Sequence, residues 1–278
     1  MKRITILFTS FLFLLGGHAF SQRSCCSMSA SKDDAFILDK DFIAAHLSPL
    51  PISFFPAKGN MITFKTPDGT DANAFRVDAD KESNNYLFLF HEWWGLNGYI
   101  KQEAEKLSSS LGVTVIALDL YDGRVTTVPD EASKLFAGLP EERARAIISG
   151  AIDYAGKESQ IQMMGWCMGG KWSLQAALMA GPNAKGCVVY YGMPETDRTK
   201  LQKLKCPVLG IFALKDKWIT AEVVGQFKKD MVSVRKQLFL YTYDADHAFA
   251  NPSNPDFDKK STADAMAKTL KFLKQNIK

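Results

Sequence analysis

The sequence predicts an α/β fold, a mostly parallel central sheet flanked by helices on both faces. Strand-length apolar runs alternate with helix-length amphipathic stretches from about residue 86 onward, the pattern of parallel strands buried on both sides. Cys167, Asp216 and His247 each stand just past the end of such a run, where sheets of this kind collect reactive groups. A glycine-framed hexapeptide, Gly165-Trp166-Cys167-Met168-Gly169-Gly170, joins one run to the helix-like stretch after it. It reads as a strand-to-helix elbow too tight for side chains at the flanking positions.

The elements follow in order. Lys2 and Arg3, an apolar stretch from Ile4 to Leu15, and Ala19-Phe20-Ser21 before Gln22 describe a cleavable secretory signal over residues 1–21. Its apolar stretch is too short to span a bilayer comfortably. The expectation is therefore an exported protein, periplasmic or secreted, with no stable membrane span after cleavage. Residues 22–60 contain Pro and Ser without periodicity and read as an irregular, loosely packed lead segment. A catalytic domain then occupies 61–278. It opens with a hairpin, Met61 to Lys65 and Ala74 to Val77, around the turn signal Pro67-Asp68-Gly69. Strands are expected at Tyr86 to Phe90, Val113 to Asp119, Ile161 to Gly165, Cys187 to Tyr191, Val208 to Leu214 and Leu238 to Tyr243. Helices are expected at Tyr99 to Leu111, Glu141 to Ala155, Met168 to Ala180, Ala221 to Val234 and Ser261 to Asn276.

Composition narrows the function classes. With 278 residues, 46% of them hydrophobic, the chain can bury one sizeable core, and no linker divides it. The formal charge of +4 includes Lys2 and Arg3, and no run of basic residues offers a nucleic-acid footprint. The odd count of 5 cysteines argues against a complete disulfide framework. Cys187 and Cys206 read as packing residues, and Cys25-Cys26 has no evident role. A monomer is expected from the closed core and helical C-terminus.

The elbow by itself also fits a buried loop cysteine. The order nucleophile, acid, histidine decides the reading, because it is the chain order of α/β-hydrolases. Cys167 is the candidate nucleophile, His247 its base and Asp216 the carboxylate that orients the imidazole. A thiol is mostly protonated near neutrality, so it needs a base or a positive local field, and the elbow places Cys167 at a helix N-terminus. The backbone N–H groups of Met168 and Trp93 are the candidate oxyanion donors. His91 is a rival base that reads better as a hydrogen-bonded structural residue, and Asp244 and Asp246 compete with Asp216 as turn-forming aspartates. Trp93, Trp94, Trp166 and Tyr121 stand beside strand ends as candidate walls of an aromatic pocket. A zinc site built from His91, Glu92 and His247 lacks metal-type ligand spacing. No metal and no cofactor is therefore expected.

Three separated segments carry a family resemblance. His91-Glu92-Trp93-Trp94-Gly95-Leu96-Asn97, the cysteine elbow, and Ala245-Asp246-His247-Ala248-Phe249-Ala250-Asn251 together resemble the dienelactone hydrolase family of α/β-hydrolases. The resemblance implies Cys167, His247 and Asp216 as the catalytic set, with Glu92 against the thiol and taking part in its activation. It also implies arginines that hold the substrate carboxylate. Arg124 lies one residue from the first such position, and Asn251 stands at the second. The expected partner is a small-molecule ester or lactone, cleaved through a thioester. Acyl transfer by the same nucleophile, or a noncatalytic binding role on a hydrolase scaffold, are the alternatives.

Overall fold

The computed structural model describes residues 36–277; the expected signal segment and Cys25-Cys26 lie outside them. Eight strands form one sheet: β1 (Asn60–Lys65), β2 (Asp71–Val77), β3 (Asn85–Phe90), β4 (Thr114–Leu118), β5 (Gln160–Trp166), β6 (Ala184–Tyr190), β7 (Val208–Ala213) and β8 (Leu238–Tyr243). Their spatial order is β1-β2-β4-β3-β5-β6-β7-β8. The hairpin pair and the β2–β4 contact are antiparallel, and every later pairing is parallel.

The sheet divides the interior into two apolar layers, as a two-residue side-chain period requires. On β3, Phe88 and Phe90 join one layer, while Leu87 and Leu89 join the other. Helices α2 (Gly98–Leu111) and α8 (Lys259–Gln275) cover one face through Ala104, Leu107, Ala265 and Leu273. The other face carries α3 (Pro129–Ala137), α4 (Glu141–Ala155), α5 (Met168–Ala180) and α7 (Ala221–Ser233). Asn97, Thr220 and Asp258 cap the N-termini of α2, α7 and α8 through side-chain oxygens. No helix among the described residues is long and apolar enough to cross a membrane.

The expected strands and helices appear with small shifts at their ends, but α3 and the four-residue α6 (Arg198–Leu201) were not anticipated. α3 begins with Pro129 and carries Asp130 and Glu131 in its first turn, start signals that its nine-residue length leaves without a long periodic run.

The described part of the lead segment is packed, not loose. Asp39 caps α1 (Lys40–Ala45), and Ile37 and Phe42 are 1% and 0% exposed. Ser133 donates to the Ile37 carbonyl at 2.6 Å, and the Phe42 ring meets Trp93 and Trp218 edge-on at 5.4 and 4.9 Å between centroids. These apolar residues are too few to show periodicity, and their burial partners lie far along the chain. Residues 47–59 have no helix or strand but are still anchored, since the Glu105 carboxylate accepts from the N–H groups of Ala57, Lys58 and Gly59. Phe42→Ala is expected to lower unfolding free energy by about 3 to 5 kcal/mol, as for other buried phenylalanine truncations; urea titration of the purified protein checks this.

Candidate active site

The site is built at the carboxyl ends of β5, β7 and β8. β5 ends at Trp166 and α5 starts at Met168, so Cys167 alone makes the turn, with φ 52° and ψ −120°. A non-glycine residue in that region is strained, and surrounding structure must hold it there. The glycines on either side make the crossing possible. A Cβ on Gly165 would lie 2.1 Å from the Gly169 oxygen, and one on Gly169 would lie 2.2 Å from the Phe90 oxygen. The Cys167 N–H donates to the Tyr190 carbonyl at 3.0 Å, tying the elbow to β6.

His247 follows β8, and its Nδ1–H donates to Asp216 Oδ2 at 2.6 Å. The other carboxylate oxygen accepts from the N–H groups of Trp218 and Ile219, each at 2.9 Å. Burial alone would raise the Asp216 carboxyl, but His247 and these hydrogen bonds outweigh it and hold the group below the ordinary carboxylate value. Burial likewise opposes charge on His247, yet Asp216 and the Cys167 sulfur raise the imidazole well above its usual value. The rival aspartates are excluded by position: Asp244 pairs with Lys215 at 3.2 Å, and Asp246 is exposed. His91 is also spent, because Nδ1–H donates to the Glu92 carbonyl at 2.6 Å while Nε2 accepts from Leu120 N–H at 3.1 Å.

The Cys167 sulfur lies within 4.8 Å of a nitrogen of His247 and a nitrogen of His46, and those two nitrogens lie within 4.8 Å of each other. Sequence reasoning missed His46. It stands one residue past α1 and its ring packs on Trp93 and His247 at 4.5 and 5.1 Å between centroids. Its Nδ1–H donates to the Phe42 carbonyl at 2.7 Å. Burial, reinforced by His247, pushes the ring pKa down to about 3, so the ring is neutral. The spacing Phe42-x-x-x-His46 behind the Asp39 cap was the available signal.

Glu92 differs from the expected arrangement. Its two oxygens accept from the Tyr191 hydroxyl at 3.4 Å and from the Asn251 amide, and no hydrogen bond joins it to Cys167 among the described residues. Asn251 in turn accepts from the N–H and hydroxyl of Ser253 at 2.8 and 2.6 Å. Asn251 therefore orients Glu92, which explains its burial. Burial raises the Glu92 carboxyl to about 7, so the folded protein binds this proton more tightly than the unfolded chain. Stability is then lost as pH rises from about 4.5 to about 7 and is level above. The stability gap between the parent and Glu92→Gln is expected to shift in favour of the variant through that window. Thermal unfolding at a series of pH values reads this directly.

Other expected contact residues are placed differently. Tyr121 is fully buried, and its hydroxyl donates to Met168 Sδ at 3.1 Å, so it supports the elbow from below instead of lining a cavity. Arg124 is exposed and its Nε donates to the Tyr121 carbonyl at 3.1 Å, turned along the chain. Trp94 is buried against Trp93, with ring centroids 4.9 Å apart. A cavity of about 10 Å³ touches Cys167, Met168, Tyr191 and His247 beneath Phe36. A larger one of about 360 Å³ lies beyond Glu92, bounded by Trp166, Tyr190 and Asn251. Cys187 and Cys206 are buried free thiols, the first pushed up by burial and the second up to about 12, which suits packing.

The chain is similar to several known proteins. The chain is 31% identical to the carboxymethylenebutenolidase of Pseudomonas sp. (strain P51) over 203 residues, covering 68% of this chain and 84% of that one. It is 26% identical to carboxymethylenebutenolidase 1 of Cupriavidus pinatubonensis over 206 residues, 69% and 86% of the two chains. Among solved structures, a dienelactone hydrolase-like promiscuous phosphotriesterase from metagenomic libraries superposes with a TM-score of 0.65 at 16% identity, covering 80% of this chain and all of that one. An esterase of Pyrococcus furiosus does so at 0.60 and 15%, covering 84% and 99%; both likenesses speak to the fold. Residues 74–277 match the dienelactone hydrolase family, and the chain belongs to that family of carboxylic ester hydrolases.

Proposed function

We propose that the protein is an exported, cysteine-dependent hydrolase of small activated esters or lactones. The observation that carries this reading is the strained Cys167 elbow within 4.8 Å of a histidine whose far nitrogen is fixed by Asp216. In the reaction, His247 takes the thiol proton and Cys167 Sγ attacks the carbonyl carbon. The N–H groups of Met168 and Trp93 stabilise the oxyanion. The tetrahedral intermediate collapses, the alcohol or enol oxygen leaves with the proton from His247, and a thioester remains. Water, deprotonated by His247, then cleaves the thioester and returns the thiol. Asp216 keeps the imidazole tautomer correct throughout.

The choice of sulfur favours good leaving groups. A thiolate departs from a tetrahedral intermediate more readily than a simple alkoxide, so aryl, enol and strained lactone esters are turned over in preference to alkyl esters. The substrate carboxylate has little to hold it, since Asn251 is engaged by Glu92 and Arg124 is turned outward. Neutral substrates are therefore favoured over anionic dienelactones. Export places the mature chain at Gln22, which terminal sequencing of secreted material would verify.

The test compares hydrolysis of a neutral aryl ester and a dienelactone by the mature protein and by Cys167→Ala, under reducing conditions. Cysteine-dependent turnover, faster on the aryl ester, is expected. Equal turnover by the alanine variant would remove the thiol from the reaction.

A further inference from the structure

The proton path above uses Cys167, His247 and Asp216, and leaves His46 without a task. Its Nδ1–H is committed to the Phe42 carbonyl, which leaves Nε2 as the ring's uncommitted nitrogen. That atom is buried without a hydrogen-bond partner, whereas His247 interacts with the Cys167 thiol. A buried acceptor left unpaired is costly, and one beside the catalytic thiol calls for an explanation in terms of what it binds.

We propose that His46 Nε2, Cys167 Sγ and His247 Nε2 form a three-ligand site for a zinc-like divalent cation, and that occupancy silences the hydrolase. One thiolate and two imidazoles are the donor types zinc takes, and three protein ligands leave a fourth position for water. Tetrahedral bonds of about 2.3 Å to sulfur and 2.0 Å to nitrogen set ligand atoms roughly 3.5 Å apart, and the sulfur and one nitrogen of each imidazole already lie within 4.8 Å of one another. Both imidazoles are backed as metal-bound histidines usually are, His46 by a backbone carbonyl and His247 by a carboxylate. The three ligands come from the lead segment, the elbow and the β8 loop, so no sequence spacing announces them.

The binding balances simply. The Cys167–His247 pair holds one proton between sulfur and Nε2, and that proton passes to solvent when the cation takes both atoms. No electron moves. The ion then occupies the lone pairs that attack the ester and accept the thiol proton, so hydrolysis stops until a chelator removes it. The silencing rests on the proposed role of Cys167 as nucleophile; the binding does not.

The experiment titrates chelator-treated, reduced protein with zinc chloride in a calorimeter and with cobalt(II) in a spectrophotometer, and assays aryl-ester hydrolysis separately with chelator present. One ion per chain is expected, with a near-ultraviolet thiolate-to-cobalt band that Cys167→Ala abolishes. His46→Ala and, as a variant closer in shape, His46→Gln are expected to weaken zinc binding at least about 10-fold, the lower bound seen when even an orienting partner of a ligand is lost. Both should keep chelator-treated hydrolysis within a few-fold of the parent. Absence of the cobalt band, or unchanged zinc affinity in both His46 variants, would overturn the proposal. Binding as described with no ester turnover at any metal level would overturn the hydrolase reading alone.

Discussion

Cys167→Ala is expected to lower turnover of an aryl ester by on the order of 10⁴-fold or more, the scale on which removal of a nucleophile acts in hydrolases that use a nucleophile, histidine and acid. Cys167→Ser is expected to fall nearly as far. A hydroxyl at φ 52° on the same elbow occupies the same place, but its proton is held far more tightly than a thiol's, and the surrounding groups are matched to sulfur. The residue is 7% exposed and neither change adds volume that the elbow must accommodate, so the fold should survive. Initial rates and single-turnover trapping of the acyl group by mass spectrometry check both parts, the mass increment being expected for the parent and lost in the alanine variant. A serine variant as fast as the parent would show that acidity of the nucleophile is not what this site supplies.

Asp216→Asn carries the second large effect. The amide oxygen can keep the Trp218 and Ile219 N–H groups that the carboxylate accepts, but the amide nitrogen then faces His247 Nδ1. A donor opposite Nδ1 forces the proton to Nε2, the nitrogen that must receive the thiol proton. The rate is expected to drop about 10⁴-fold with little change in structure, as tautomer reversal does in related catalytic sets. The imidazole, raised well above its usual value chiefly by the Asp216 charge against the cost of burial, should also titrate lower in the variant. Proton NMR of the His247 ring across pH, alongside the pH profile of the rate, separates this from simple unfolding. A rate loss without a change in the His247 titration would count against the electrostatic account.

Much of the molecule was legible in the sequence because its signals are local. The near-continuous apolar runs became parallel strands, since only a strand covered on both faces buries every side chain, as β4 and β7 do throughout. The glycine frame around Cys167 announced the elbow, since a Cβ at either flank meets backbone atoms. Chain order singled out Asp216 and His247, and the structure joins them by a hydrogen bond.

What the sequence did not determine depends on contacts between distant segments. The burial of Phe42 and the placement of His46 exist only because Trp93, Trp218 and His247 come from other loops to meet them. The same holds for Glu92, whose direction is set by a hydroxyl on residue 191 and an amide on residue 251, and for Tyr121, whose place beneath Met168 follows from how β4 and β5 flank β3. Periodicity and turn chemistry act over a few residues, whereas the partner of a buried polar atom is chosen by which loops the closed sheet brings together. The layered fold and the candidate nucleophile, acid and histidine follow from local patterns in the chain, while what surrounds them follows from burial cost and hydrogen-bond pairing, which only the folded arrangement of distant loops settles.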